Sequence, residues 1–145
     1  MRIAKVFFED LKSKTNLKNF EKILNKKLML IQKKKLIFFN KKFFSVLITS
    51  NKEMKKLNKK FRKRDRTTDV LSFPLKINDM GKTYLGDIAI NYEIVEKRSK
   101  NKNFQIELDK MWIHGLLHLL GYTHEKLKSF KIMSSKEKKI LQIFK

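Results

Sequence analysis

The chain has no cysteine among its 145 residues, which excludes both a disulfide framework and any thiolate metal site. Proline occurs once, at Pro74, and glycine four times, so each marks a place where the backbone does something specific. There is no Pro/Gly/Ser-rich linker, no internal repeat and no low-complexity stretch. One domain covering residues 1–145 is therefore expected. No apolar run approaches the ~18 residues that a membrane span requires. Residues 1–11 are too short and too charged for a signal peptide, so a soluble, cytoplasmic protein with no membrane partner is expected. Acidic residues are scarce as well: 14 Asp and Glu stand against 36 Lys and Arg, leaving a net charge of +22.

Such a charge invites a polyanionic partner, because cationic side chains displace counterions from phosphates. Composition offers a second explanation. The positive charge is spelled with 31 lysines and only 5 arginines, beside 10 asparagines, 12 phenylalanines and 2 alanines, as an AT-rich genome would impose on any protein. Position separates the two readings better than the total does. Arg62, Arg64 and Arg66 sit within five residues, and arginine offers a planar fork that grips phosphate bidentately, whereas lysine is a mobile point charge. The three arginines are thus candidate phosphate contacts. Ion pairs to the neighbouring Asp65 and Asp69 are the structural alternative.

All three histidines fall in one window, His114 to His124, with the spacing H-x3-H-x2-G-x2-H. Histidines four apart on a helix project from one face, one turn above the other. Gly121 comes where a helix commonly ends in a left-handed residue, after which the chain can return and bring His124 towards the first two rings. Three imidazoles with a fourth position open to water describe a catalytic zinc site rather than a closed structural one. The bland alternative, satisfied core histidines on the apolar run Leu116, Leu117, Leu119 and Leu120, would leave three buried imidazoles to be partnered. The spacing mirrors the metzincin protease pattern. Gly115, however, stands where H-E-x-x-H has its general base, which disfavours a peptidase. Met133, a candidate for the methionine beneath such protease sites, reads as ordinary core or surface filler.

Periodicity places these residues on elements. Residues 2–8 read as a strand. Thr15 or Asn16 can cap a helix with Leu17, Phe20, Ile23, Leu24, Leu28 and Ile31 on its apolar side. Phe43–Thr49 is strand-like, and Ser50 or Asn51 caps a helix reaching Phe61. A strand over 69–73 stops at Pro74, residues 78–81 form a turn, and 84–90 form another strand. Helices over 92–100, 104–120 and most of 125–145 complete the chain, the last with Ile132, Ile140, Leu141, Ile143 and Phe144 inward. Gly115 reads as a close approach of backbone or substrate to the metal. The pattern predicts an α+β (α/β-like) domain: one small mixed sheet flanked by helices, with the metal site on a long helix in the C-terminal half.

Three blocks carry a family resemblance. His114 to His124 resembles the signature of the YbeY family of bacterial metal-dependent endoribonucleases. Leu57 to Arg62 with Thr68-Asp69-Val70-Leu71-Ser72-Phe73-Pro74 shortly after resembles its L-N-x-x-[YF]-R and T-[DN]-V-L-S-F-P. Leu85-Gly86-Asp87-Ile88-Ala89-Ile90 resembles its L-G-D-I-x-I strand. Lys63, Thr67 and Thr123 depart from the family's usual Gly, Pro and Asp. The resemblance implies a mostly parallel sheet of about four strands with one antiparallel edge. It also implies Zn2+ held by His114, His118 and His124, and Arg62 as the functional arginine.

A zinc-dependent endoribonuclease acting on single-stranded RNA is therefore expected. Small-subunit ribosomal RNA 3′-end maturation and late-stage ribosome quality control are its implied setting, and the ribosome or a ribosomal protein its partner. The general base is left open among Asp87, Asp69 and Glu125, each of which could instead orient a ligand imidazole. Two other classes stay in view: a non-catalytic RNA- or ribosome-binding assembly factor with a structural zinc, and a zinc hydrolase of another kind.

Overall fold

The computed structural model describes residues 2–75 and 83–145. The expected turn at 78–81 lies outside the described residues. Four strands, β1 (Ala4–Phe8), β2 (Phe43–Thr49), β3 (Val70–Pro74) and β4 (Tyr84–Asn91), form one sheet in the order β1-β2-β4-β3. β1, β2 and β4 run parallel and β3 runs antiparallel to β4, with Leu71 opposite Ala89 and Ser72 opposite Ile88. The mixed sheet and its flanking helices give an α+β fold, as the pattern predicts. Pro74 pairs with Gly86 on this outer strand, where a missing N–H is tolerated.

The helices are α1 (Leu11–Asn16), α2 (Phe20–Lys33), α3 (Asn51–Arg62), α4 (Tyr92–Arg98), α5 (Phe104–Leu119) and α6 (Leu127–Ile143). The helix expected to start at Thr15 or Asn16 starts later, at Phe20, and the separate short helix α1 occupies the residues before it. Asp10 caps α1 by accepting from the Ser13 N–H at 2.8 Å, and α2 begins afresh after Asn19. Asp10 escapes the sequence pattern because it lies before the apolar periodicity begins. Ser50 caps α3 as expected, accepting from the Glu53 N–H. The helix expected over 92–100 ends at Arg98 and closes in a 3-10 turn at Ser99–Asn101.

Alternation divides the sheet into two faces. Phe44, Val46, Ile48, Ile88 and Ile90 join the main core with Leu24, Leu28 and Ile31 of α2 and with Trp112, Leu116 and Leu117 of α5. The opposite face is only partly covered, by α3, where Met54, Leu71 and Ala89 form a smaller cluster. On α6 the inward residues are Met133 and Ile140, at 1% and 0% exposure, whereas Ile132, expected inward, is 53% exposed. The inward stripe is therefore one residue off the expected position at that turn. Among the described residues, no helix is long and apolar enough to cross a membrane.

Two polar devices fix the layers. Asn25 of α2 accepts from the N–H groups of Ile3 and Ala4 and donates to the Ala4 carbonyl, which satisfies the start of the outer strand β1. Lys27 reaches the buried Asp109 at 2.6 Å, and Asp109 also accepts from Trp112 Nε1 at 2.8 Å. Lys27 is half-buried and Asp109 buried, so losing the lysine would leave a desolvated carboxylate without its cation, and the pair constrains how α5 sits against α2.

The tightest contact between α5 and the sheet is at Gly115. A Cβ there would lie 2.7 Å from Ile88 Cγ2, so this glycine makes room for a core side chain of β4 and not, as expected, for backbone or substrate approaching the metal. Gly115→Ala should cost about 1–3 kcal/mol of unfolding free energy. Combined with Ile88→Ala in a denaturant double-mutant cycle, the two losses should fall short of their sum. Strict additivity would show that this contact does not set the helix–sheet distance.

Candidate metal centre

The site is built from the end of α5. Asn103 caps the helix by accepting from the Ile106 N–H. Residues on several sides of α5 are buried, because the helix is packed between the sheet and α6. Its termination is a Schellman turn: Gly121 N–H donates to the His118 carbonyl and Tyr122 N–H to the Leu117 carbonyl, both at 3.0 Å. Gly121 has φ +100, a conformation costly for any residue with a Cβ. This turn reverses the chain and sets His124 opposite the helix.

The three histidines converge. One nitrogen from each of His114, His118 and His124 lies within 4.8 Å of the other two. The ring centroids are 4.7 Å apart for His114–His118 and His118–His124, and 5.5 Å for His114–His124. His114 and His118 are half-buried and His124 is exposed. Asp and Glu contribute nothing to this trio, so the donor set is all imidazole.

Hydrogen bonds decide which nitrogens are free. His118 Nδ1 lies 2.9 Å from the Tyr122 carbonyl, which can only accept, so this nitrogen carries a proton. His114 Nδ1 lies 2.8 Å from the Glu137 carboxylate and likewise donates. Both Nε2 atoms are then lone-pair acceptors in the neutral rings, yet they face each other at 3.1 Å. Two acceptors at that distance repel unless something positive lies against them. Nitrogens about 2.0–2.1 Å from one tetrahedral cation stand roughly 3.3 Å apart, so the pair fits a small divalent ion. The protein also favours the neutral, ligand-ready ring: burial pushes His118 below its ordinary pKa, with His114, His124 and Arg62 adding to the effect against the pull of the Tyr122 carbonyl.

Arg62 is the last residue of α3 and lies on the outer side of β3. Its Nη2 donates to the Ser72 carbonyl at 3.0 Å, and Ser72 Oγ donates to the Gly115 carbonyl at 3.1 Å. The arginine is thereby tied to the turn of α5 that bears His114. Arg64 and Arg66 are exposed in the following loop. The Asp partners considered for this cluster are engaged elsewhere, Asp65 near Lys55 and Asp69 with Arg98 at 2.8 Å.

The carboxylates separate clearly. Asp69 lines a cleft of about 410 Å³ together with His114, Glu107, Lys110 and Glu137. Asp87 points to the other face of the sheet, beside Phe7, Leu47 and Phe61. There it is bonded by the Tyr84 hydroxyl, which burial and Asp87 push up to about 12. Glu125 is exposed in the loop after His124. Glu137, which touches His114, is absent from the sequence-based candidates. Its signal was a lone acid among the lysines of α6, 23 residues from the ring it meets.

Known proteins share this architecture. The family model described as Endoribonuclease YbeY matches residues 5–145. The chain belongs to the YbeY family. It is 47% identical over 118 residues to the endoribonuclease YbeY of Pelagibacter ubique, covering 77% of this chain and 76% of that protein. With the endoribonuclease YbeY of Bartonella henselae it shares 43% identity over 103 residues, 68% of this chain and 65% of the relative. A solution structure from Thermotoga maritima is similar at a TM-score of 0.62 and 35% identity, over 96% of this chain and 87% of that one.

One departure from the YbeY pattern has a physical consequence. Lys63, where the family usually has Gly, closes α3 at φ 57, in the left-handed region. A side chain there costs roughly 1–2 kcal/mol, partly offset by glycine's greater freedom in the unfolded chain. Lys63→Gly should therefore raise unfolding free energy by about 0.5–1 kcal/mol; a loss of stability would show that Lys63 makes a compensating contact.

His114→Ala should abolish stoichiometric metal, because two imidazoles seldom hold such an ion tightly. Elemental analysis of the purified variant checks this, and one transition-metal ion per chain would refute the ligand set.

Proposed function

We propose that this chain is a zinc-dependent endoribonuclease that cuts single-stranded RNA. Its setting is the 3′-end maturation of small-subunit ribosomal RNA and ribosome quality control in the cytoplasm, with the ribosome as partner. The observation that carries the reading is the pair of facing Nε2 atoms, 3.1 Å apart with both Nδ1 atoms committed, and a third imidazole beside them. The names of the relatives support the reaction class.

His114, His118 and His124 would hold the ion. When bound, zinc supplies Lewis acidity that polarises a phosphoryl oxygen and brings the pKa of water towards ~7 from about 15.7. Everything else falls to the chain. Tyr122 and Glu137 hold two of the rings with Nε2 turned to the site. Arg62 is anchored through one nitrogen to Ser72, which leaves the rest of its fork for a phosphate. Its fixed charge can stabilise the negative charge that grows on the phosphoryl oxygens in the transition state. Arg64 and Arg66, exposed in the adjoining loop, would hold flanking phosphates. The glutamate that activates water in H-E-x-x-H proteases has no counterpart at Gly115, which suits a substrate other than a peptide.

Single-turnover cleavage of a single-stranded ribosomal RNA fragment tests the proposal. His118→Ala should lose activity together with zinc. Arg62→Ala should keep its zinc and lose on the order of 100-fold in rate. Equal cleavage by wild type and His118→Ala, or none from either with zinc supplied, would point to a binding module instead.

A further inference from the structure

α6 carries five lysines and one carboxylate. That carboxylate, Glu137, is not on the solvated side where an isolated acid would usually sit. It lies four residues after Met133 and three before Ile140, so it falls within the inward stripe of the helix. Its side chain is 28% exposed. A carboxylate in such a stripe loses hydration and must be partnered. Among the described residues its ion-pair partner is His114, at 2.8 Å, although lysines flank it on both sides in the helix.

We infer that Glu137 is a positioning residue: it holds the His114 ring with Nδ1 protonated and Nε2 facing the other imidazoles, and so makes cation affinity depend on the docking of α6. The inference deepens the metal-centre reading above and rests on it for the identity of the ion. His114 sits in mid-helix, and its ring could rotate or change tautomer without strain if its outer nitrogen were free. A carboxylate is acceptor-only at neutral pH, so it accepts a proton from Nδ1 and leaves the lone pair on Nε2. His118 obtains the same restraint locally, from the Tyr122 carbonyl of its own helix turn. His114 obtains it from a different element. Met133 and Ile140 seat α6 in the core on either side of Glu137, and the carboxylate converts that packing into ring orientation. Partners of this kind, one bond out from the ligand, typically contribute 10–100-fold in metal affinity.

The test uses full-length chain stripped of metal, titrated with zinc against a competing chelator, with two-bond 1H–15N spectra of the imidazoles recorded before zinc is added. Glu137→Ala should weaken zinc binding about 10–100-fold. It should also change metal-free His114 from the Nδ1–H form to a mixture of tautomers. Glu137→Gln, whose amide oxygen still accepts, should lose less, and Lys138→Ala should match wild type. Equal affinity in Glu137→Ala and wild type, or an unchanged His114 tautomer, overturns the inference. Should Glu137→Ala fail to fold, the shape-conserving Glu137→Met, whose side chain lacks an oxygen acceptor, decides: weakened zinc binding with a mixture of His114 tautomers supports the inference, and wild-type affinity with His114 still in the Nδ1–H form overturns it. If wild type itself takes up no zinc, the metal-centre reading fails. The His114 tautomer in metal-free wild type and Glu137→Ala still decides the role of Glu137.

Discussion

Two imidazole nitrogens that both present lone pairs, 3.1 Å apart, are an unstable arrangement for a protein to hold alone. Each ring could relieve the repulsion by turning or by moving its proton. One outer nitrogen lies against a backbone carbonyl and the other against a carboxylate, which favours rings whose inner nitrogens point at each other, and a cation or a shared proton between them relieves the repulsion. The protein thus maintains a local concentration of electron pairs that a cation satisfies, and burial disfavours a proton on the His118 ring instead. Preorganisation of this kind places the cost of assembling the site in folding, so that binding does not have to order the ligands.

The remainder of the fold can be understood as support for that arrangement. α5 must lie close to the sheet, and Gly115 allows Ile88 to pack directly against its backbone. The Lys27–Asp109–Trp112 network, centred on the buried Asp109, constrains where the helix sits along its axis relative to α2. A single Schellman turn does two things at once: it ends α5 so that His124 can return, and it delivers the carbonyl that orients His118. Ser72 links the same stretch of helix to the outer strand and to Arg62. Two hydrogen bonds through Ser72 thus connect Arg62 to the turn of α5 beside His114, although the two come from opposite halves of the chain.

How much of this was legible in the sequence depended on distance along the chain. The i, i+4 histidines, the glycine stop and the return to His124 are local, and helical geometry alone brings them together. The strands at Phe43–Thr49 and around Ile88 were legible because β-branched and aromatic residues cluster there. The α1–α2 break was not, since Leu17 continues the apolar spacing across it and the cap, Asp10, lies upstream. On α6 the choice between Ile132 and Met133 turned on one helical step, which hydrophobicity could not settle. Glu137 was out of reach for a different reason. Its role exists only once α6 has packed on α5, and no pattern within 23 residues encodes that meeting. Asp87, conspicuous in its motif, proved to face away from the histidine helix, because alternation puts it on the sheet surface opposite Ile88.

The most direct test of the central claim is a crystal structure of zinc-loaded protein with anomalous data collected across the metal absorption edge. The account predicts one peak per chain, with His114 Nε2, His118 Nε2 and a nitrogen of His124 each about 2.0–2.1 Å away and a fourth direction open to solvent. A peak at some other set of side chains, or none while the three rings keep ordinary hydrogen-bond partners, would contradict it.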